Sequence, residues 1–408
     1  MSVTRRVAVP SEIALQEPSS KGASLAIADR AGLAQVEAWK NAFQSQRKDR
    51  RYYEIVEDTI CPEFTYRYFL IQDETGRTRS VQPYFILDQD ILAGLGPRWQ
   101  KIAGAIRRIW PRFLFIRTLM VGCAAGEAHF SSPAAAAQQR DAETLSSRLR
   151  TLARKERASI IVMKEFPAQY RGTLRCFLER GFTRVPSMPM TRLDVSDYKD
   201  FDDYLAKAIK SKRRNEFRRK FKAAAQSAPI DMEVVPDVSD VIDELYSLYL
   251  QVYGRSKMHF EKLTKEYFVQ LGRRMPDKTR FFLWRQNGKL IAFSLCLVEG
   301  DTLYGEYIGL DYSIALDIHL YFYVMRDTIS WAIANGYKSI VSSGLSYAPK
   351  LQMAHVLEPL DLYVRHTSPL ANLVMKRVLP LLEPTGAEPA LQQFKNYNEL
   401  WAENSPAV

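Results

Sequence analysis

The stretch "RFFLWRQNGKLIAFSLCLVEGDTLYGEYIGL" (280–310) constrains the fold more than any other part of the chain. Three runs rich in aromatic and β-branched residues are divided by "QNGK" and "EGD", which are turn signals, so three antiparallel strands are expected. A long helical pattern follows, "LDIHLYFYVMRDTISWAIANGY" (316–337), then a short strand, "KSIVSSG", a loop, "LSYAPKLQMAH", and a last strand, "LDLYVR". The same order occurs earlier. "FTYRYFLIQDETGRTRSVQPYFIL" (64–87) reads as a hairpin and "RTLMVG" (117–122) as a strand. "SPAAAAQQRDAETLSSRLRTLARKERA" (132–158) reads as a helix with Pro133 in its first turn, followed by strand "SIIVMKEF", helix "AQYRGTLRCFLERGF" and strand "PMTRLDV".

Both halves therefore run hairpin, strand, helix, strand, helix or loop, strand. The recurrence is one of element order rather than of residues, and its period is too long for a solenoid. A duplicated fold follows as the expectation, of class α/β (α+β), with a mixed central sheet flanked by helices in each of two tandem domains. Their spans are read as 31–195 and 226–384, with a flexible leader over 1–30, a basic linking helix over 196–225 and a polar tail over 385–408. A length of 408 residues suits two domains.

The formal net charge is +11, and it is clustered: nine Lys and Arg fall between positions 207 and 222, with Glu216 the single acid among them. Residues 205–221 read as one helix with a thin apolar seam, Leu205, Ile209, Phe217 and Phe221, and a broad cationic face. One acid cannot neutralise nine bases within the helix, so an anionic partner is expected on Lys212, Arg213, Arg218 and their neighbours. The candidates are a CoA or carrier phosphate, a tRNA backbone, and an anionic membrane surface. The seam lacks the interleaved aromatics of a base-stacking platform, which argues against sequence-specific reading of nucleic acid.

Several classes are excluded on composition. Cys61, Cys123, Cys176 and Cys296 form no C-x-x-C pair, so neither a zinc site nor a disulfide framework is expected. His129, His259, His319, His355 and His366 are scattered without metal-ligand spacing. Cys123 and His129 lie six residues apart in "VGCAAGEAHF", too little for a nucleophile and its base. No continuous apolar run is long enough for a secretory signal or a bilayer span. A cytoplasmic place is expected, with the inner membrane surface as an option.

A few residues stand where they could move a proton or hold an anion. Glu306, in the apolar run "LYGEYIGL", is a candidate base: strand alternation puts it on one face with Tyr304 and Ile308, and Gly305, Tyr307 and Gly309 on the other. It is expected to face a solvent-reachable cleft; the structural alternative is a Glu paired with Arg. In "SGLSYAPKLQM", Tyr347 can give a proton to a leaving thiolate and Lys350 can hold a phosphate or carboxylate; a packing Tyr and a surface Lys are the alternative. In "QVYGRSKMHF", Tyr253 and Arg255 follow a helix, and Arg255 either clamps an anion bidentately or caps helix carbonyls. Tyr307 joins the candidate binding positions.

The second half, with "NGKLIAFSLCLVEGDTLYGEYIGLDY", the helix ending "WAIANGYKSIVSSG" and the loop "YAPKLQM", resembles the GNAT acyltransferase superfamily. More narrowly it resembles the tandem-GNAT branch with the Fem-type peptidoglycan aminoacyltransferases. There a basic helix enters the second domain, a glycine-bounded strand precedes a Tyr-x-x-Lys loop, and a Y-x-R-S sequence follows a helix. The likeness covers 200–384 well and the first half in element order only. Where acetyltransferases carry a glycine-rich CoA pyrophosphate loop, this chain reads "DYSIALDIHLYF", with no glycine. That leaves room for an acyl-carrier protein or an aminoacyl-tRNA as donor beside acyl-CoA. The resemblance implies an N-acyltransferase acting on a small-molecule or peptide amine, with Glu306 and Tyr347 catalytic, no tightly bound cofactor and no metal. The alternatives are a Fem-like aminoacyl-tRNA-dependent transferase for an envelope precursor or peptide product, and a non-catalytic RNA- or membrane-binding scaffold.

Overall fold

The computed structural model describes residues 24–60, 64–90, 115–225, 228–256 and 260–403. The early strands are β1 (Ser24–Ala28), β2 (Thr65–Gln72), β3 (Thr78–Asp90), β4 (Phe115–Val121), β5 (Ile160–Pro167), β6 (Thr183–Pro186) and β7 (Met190–Asp194). The later ones are β8 (Ile230–Val235), β9 (Thr279–Gln286), β10 (Lys289–Glu299), β11 (Thr302–Leu310), β12 (Ser339–Ser342), β13 (Val356–Glu358) and β14 (Leu360–His366).

Local chemistry explains the hairpins. The Asp73 carboxylate accepts from the Thr75 and Arg77 amides and so closes the β2–β3 turn. Asn287 and Gly288, both with positive φ (50° and 78°), form the two-residue turn between β9 and β10, a geometry that matches strand twist. Two longer crossovers use helices: Ala135–Lys155 connects the parallel pair β4 and β5, and Leu320–Ala334 connects β11 and β12. A parallel pair requires a connection of that length. All other pairings are antiparallel, so both sheets are mixed.

The two sheets exchange a strand. The first runs β1-β2-β3-β4-β5-β14-β6 and the second β13-β7-β12-β11-β10-β9-β8. The last strand of the first half thus lies beside β12, and the last strand of the second half lies beside β5. A cut at 195/196 leaves each sheet without a strand it contains, so spans 31–195 and 226–384 are not self-contained sheets. Charge pins the exchanged strand: Asp361 of β14, 1 % exposed, pairs with Arg171 at 2.7 Å and Arg184 at 2.9 Å, both from the first half. Period-two patterning told strands from helices but not which sheet each one joins.

Apolar burial joins the sheets into one body. A continuous core takes Tyr53, Phe85 and Met120 from the first half and Phe268, Phe281 and Leu295 from the second. The helices Arg50–Thr59 and Lys265–Arg274 pack across the seam, tied by Arg274 to Glu54 and Asp58. A second core lies under helix Ala135–Lys155. A third lies under helix Leu320–Ala334 and the basic segment.

Several local expectations change. Residues 205–221 are not one helix: Phe201–Ala208 ends at Ile209, which is extended and buried, and Ser211–Ala225 begins after it. The Arg214 guanidinium caps the break by donating to the Ala206 carbonyl. The long helix starts at Leu320, after a series of turns over 312–319. The loop around Tyr347 contains a short helix, Tyr347–Gln352. Residues 24–28 of the presumed leader form β1, while 1–23 lie outside the described residues, as does most of the basic stretch 106–117. The tail is not wholly polar: Leu391, Phe394 and Leu400 are buried with Tyr347 and Leu357 in a small core of their own.

Candidate functional site

A group of charges is buried in the seam. Arg47 and Lys48, 3 % and 1 % exposed, precede the helix Arg50–Thr59; Glu127 follows β4, and Glu306 lies on β11. Arg47 pairs with Glu127 at 2.5 Å and with Glu306 at 2.8 Å; Lys48 pairs with the same carboxylates at 2.7 and 3.0 Å. The Arg47 guanidinium also stacks 3.6 Å from the Tyr304 ring centroid. Burial opposes the charges on Arg47 and Lys48, but Glu127 and then Glu306 outweigh it, and both cations sit above their ordinary values. Burial likewise opposes ionisation of Glu127, but Arg47 and Lys48 hold its carboxyl well below the usual range. Gly126 makes room for the group. At φ +95° it has no side chain, and a Cβ there would lie 2.2 Å from the Lys48 nitrogen.

The expectation that Glu306 faces an open cleft is therefore corrected. Its side chain is 6 % exposed and closed between two cations. A β-bulge causes this. Leu295 pairs with Tyr307 and Cys296 with Gly305, so Glu306 is the extra residue on β11. Beyond the bulge Tyr307 joins the inter-sheet core while Ile308 joins the core on the opposite side, as the alternation read from the sequence places them. Arg47, 259 residues away in sequence, could not have been paired with Glu306 by local pattern.

The residue beside the bulge opens a second group. Tyr307 donates to Glu261 at 2.7 Å, and its ring meets Tyr267 edge-on, whose hydroxyl in turn bonds that of Tyr52 at 2.8 Å. Glu261 is only partly buried, yet burial is the largest influence on it and raises its carboxyl above the ordinary value, against the lowering by Lys164 and Tyr307. Lys164 contacts Glu165 at 2.5 Å and the Gly126 carbonyl at 3.0 Å, which ties the two groups together. Glu165 has a left-handed backbone, φ +54°, a strained setting for a non-glycine residue. Neither Glu261 nor Lys164 stands out in the sequence. The one signal for Glu261 is an acid directly after "SKMHF", a pattern too common to use.

The other expected residues are dispersed. Tyr347 is 2 % exposed and donates to the Pro189 carbonyl at 2.8 Å, so its hydroxyl is engaged in packing. Lys350 is also buried, donating to the Ser343 and Leu345 carbonyls at 2.5 and 3.0 Å. It has no carboxylate partner among the described residues, and burial pushes its amine down to about 7. Burial, with the Lys350 charge second, takes His355 down to about 3. Glu306 meets this loop only through its backbone, where the Ser343 hydroxyl donates to the Glu306 carbonyl at 3.0 Å. The constellation of Glu306, Tyr347 and Lys350 in one pocket is thus not formed.

Arg255 is exposed at a helix C-terminus, its guanidinium 4.1 Å from the Tyr312 ring centroid, and the Tyr253 ring meets that of Tyr249 at a tilt. On the basic helix Phe217 is fully buried and Lys220 lies over the Phe322 ring at 3.9 Å. Glu216 pairs with Lys220 at 2.9 Å and Arg213 at 3.8 Å. Lys212, Arg218 and Arg219 are exposed and make no ion pair among the described residues. Cys123 is buried and its thiol is pushed up to about 12, while His129 turns to Glu127 and Tyr170 instead. Among the described residues no group of His, Cys, Asp and Glu is arranged to hold a metal, and no helix is long and apolar enough to cross a membrane. An open concavity of about 550 Å³ around Asp73, Arg79 and Arg140 shares no residue with either charged group.

Two strains of Mycobacterium tuberculosis have a protein that carries the name of an 8-amino-7-oxononanoate synthase 2. It is 23 % identical over 371 residues, covering 84 % of this chain and 46 % of that protein. The chain thus spans about half the length of the curated relatives it matches. Among solved structures, FemX is 10 % identical over 77 % of this chain and 90 % of its own, with a TM-score of 0.46. A tandem GNAT protein from the clavulanic acid biosynthesis pathway is 12 % identical over 78 % and 88 %, with a TM-score of 0.44. L-PGS from Bacillus licheniformis is 11 % identical over 65 % and 82 %, also at 0.44. The FemAB-like family model, described as peptidoglycan biosynthesis/recognition, matches residues 124–360, more than half of the chain and inclusive of Glu127, Lys164, Glu261, Glu306 and Tyr307. The chain belongs to this FemAB-like family.

Proposed function

We propose that the chain joins an activated acyl or aminoacyl group to an amine, with the reaction at the margin of the seam where Glu261, Tyr307 and Lys164 meet. Within a FemAB-like chain, the observation that carries this reading is the Glu261 carboxyl: partly exposed, raised by burial, and bonded to a phenol on the bulged strand. A carboxylate raised toward neutrality is a better proton acceptor than an ordinary one. The amine nitrogen attacks the carbonyl carbon of the ester or thioester, and Glu261 takes the amine proton. The carbon–oxygen or carbon–sulfur bond then breaks, and the protonated Glu261 carboxyl passes its proton to the leaving alkoxide or thiolate, which restores the carboxylate. Tyr307, bonded to Glu261, positions that carboxyl; the Lys164 ammonium lies where it favours negative charge on the carbonyl oxygen. In this reading Glu306 acts through the fold, by holding the bulge that presents Tyr307.

The donor favoured by the basic helix is an aminoacyl-tRNA. Lys212, Arg218 and Arg219 are exposed cations that form no ion pair among the described residues, and an RNA backbone offers them a row of phosphates. Arg255, stacked on Tyr312, keeps its charge available to the same polyanion. The family description favours a peptide amine of a cell-wall precursor as acceptor. Acyl-CoA and acyl-carrier protein are the competing donors, and the segment 311–319 contains no glycine to admit a pyrophosphate closely.

The test is a donor panel of aminoacyl-tRNA, acyl-CoA and acyl-carrier protein against amine acceptors, read by mass spectrometry. Glu261→Gln should lower turnover by about a hundredfold or more, and Tyr307→Phe by less. Retention of full turnover by Glu261→Gln with any accepted donor would remove Glu261 from the chemistry.

A further inference from the structure

The helix Pro369–Leu382 presents an apolar face to solvent. Leu370 is 80 % exposed, Leu373 54 %, Val374 62 % and Leu381 83 %, with Val378 between them. Helical spacing puts these on one side, opposite Asn372, Met375 and Leu379, which face the body of the protein. A face of this kind on an otherwise well-packed chain marks a contact surface.

The surroundings of the helix say what it contacts. Arg150 and Arg154 both donate to the Thr367 carbonyl, at the start of the helix. Arg365 donates to the Arg180 carbonyl, and the Lys376 amine lies against the same Gly181 corner. None of these five cations has an acidic partner among the described residues, and the Arg365 Nε is buried without a hydrogen-bond partner. Burial, followed by the charges of Arg150, Arg154 and Arg180, depresses the Arg365 guanidinium, as expected for a cluster of cations that no carboxylate offsets. A second copy of the chain on this face would set cations against cations. A bilayer of anionic phospholipid supplies both complements, acyl chains for the leucines and phosphates for the guanidinium groups.

We propose that the helix Pro369–Leu382 is a membrane-docking element that seats this face in the headgroup region of an anionic bilayer, with Arg150, Arg154, Arg180, Arg365 and Lys376 on lipid phosphates. The site is separate from the basic helix Ser211–Ala225 and independent of which group the enzyme transfers. Flotation of the full chain with vesicles tests it, using phosphatidylcholine alone and phosphatidylcholine with about a quarter phosphatidylglycerol. The wild type should float with the anionic vesicles and far less with neutral ones. Leu370→Ser/Val374→Ser/Leu381→Ser should abolish flotation. Arg154→Gln/Arg180→Gln/Lys376→Gln should weaken it on the order of a hundredfold, at roughly fivefold for each cation near the surface. Lys212→Gln/Arg218→Gln/Arg219→Gln should keep it. A Leu381→Cys protein carrying an environment-sensitive dye gives a readout that does not depend on the triple variant folding, and its emission should shift to the blue on anionic vesicles. No flotation by the wild type, loss in the basic-helix variant instead, an unshifted dye, or a concentration-dependent dimer abolished by the serine variant would each overturn the proposal.

Discussion

Replacing Glu306 by Gln tests the buried charge group most sharply. In the native protein two cations face two carboxylates, and all four side chains are at most 6 % exposed. The substitution keeps shape but leaves Arg47 and Lys48 sharing Glu127. It also turns an amide N–H group toward one of the cations that the carboxylate formerly received. Breaking a buried pair typically costs about 3–5 kcal/mol, because the surviving charge remains desolvated. The continuous core across the seam makes one unfolding transition the expectation. With a urea m-value of roughly 3 kcal/mol/M, its midpoint should fall by about 1–1.7 M. Lys48→Met/Glu306→Gln restores neutrality, one cation to one carboxylate, and should be more stable than the sum of the single effects by about 0.5–3 kcal/mol. A Glu306→Gln protein within about 1 kcal/mol of wild type, or strict additivity in the cycle, would refute the view that the group acts as a closed, coupled unit.

Two further outcomes follow from the described geometry. The Lys350 amine, pushed down to about 7, should titrate near neutrality by NMR of labelled lysine, and a value at the ordinary 10.5 would contradict its burial without a counter-ion. Since its folded value lies below its unfolded one, its contribution to stability is present above 10.5 and is lost as pH falls toward 7. Neutralising Lys212, Arg213, Arg218 and Arg219 together should weaken tRNA binding and flatten the dependence of log K on log salt by close to one unit for each phosphate that the variant no longer neutralises. An unchanged slope would mean that the exposed face of this helix meets no polyanion.

The strands were legible wherever local chemistry set them. Alternating runs and their turns, "DETG", "QNGK" and "EGD", located β2, β3 and β9 to β11, because Asp, Asn and Gly determine backbone geometry over two or three residues. Element order also showed the duplication. The strand exchange was not legible, since β7 and β14 look like any other half-buried strand and their partners lie far away in sequence. Glu306 was found as an acid in an apolar run, but its role changed once the bulge turned it toward Arg47 and Lys48. Those two cations sit in "QSQRKDRRYY", which reads as a solvated charge run until a fold brings carboxylates to it. Tyr347 and Lys350 read as a loop pair in sequence; a short buried helix turns the hydroxyl and the amine onto backbone carbonyls. Glu261 carried no pattern at all. Its environment depends on Tyr307, Lys164 and the burial of both, which only three-dimensional packing supplies.

The most direct test of the proposed chemistry is the pH dependence of single-turnover amide formation by the wild type and Glu261→Gln, with whichever donor the panel identifies. Protonation of the Glu261 carboxyl removes the base, so the wild-type rate should fall on the acid side with an apparent pKa above the ordinary carboxyl value. In Glu261→Gln that limb should vanish and the plateau should drop by about a hundredfold or more, while the unfolding midpoint stays close to wild type. An unchanged plateau with the same acid limb in the variant would contradict the account and assign the base elsewhere.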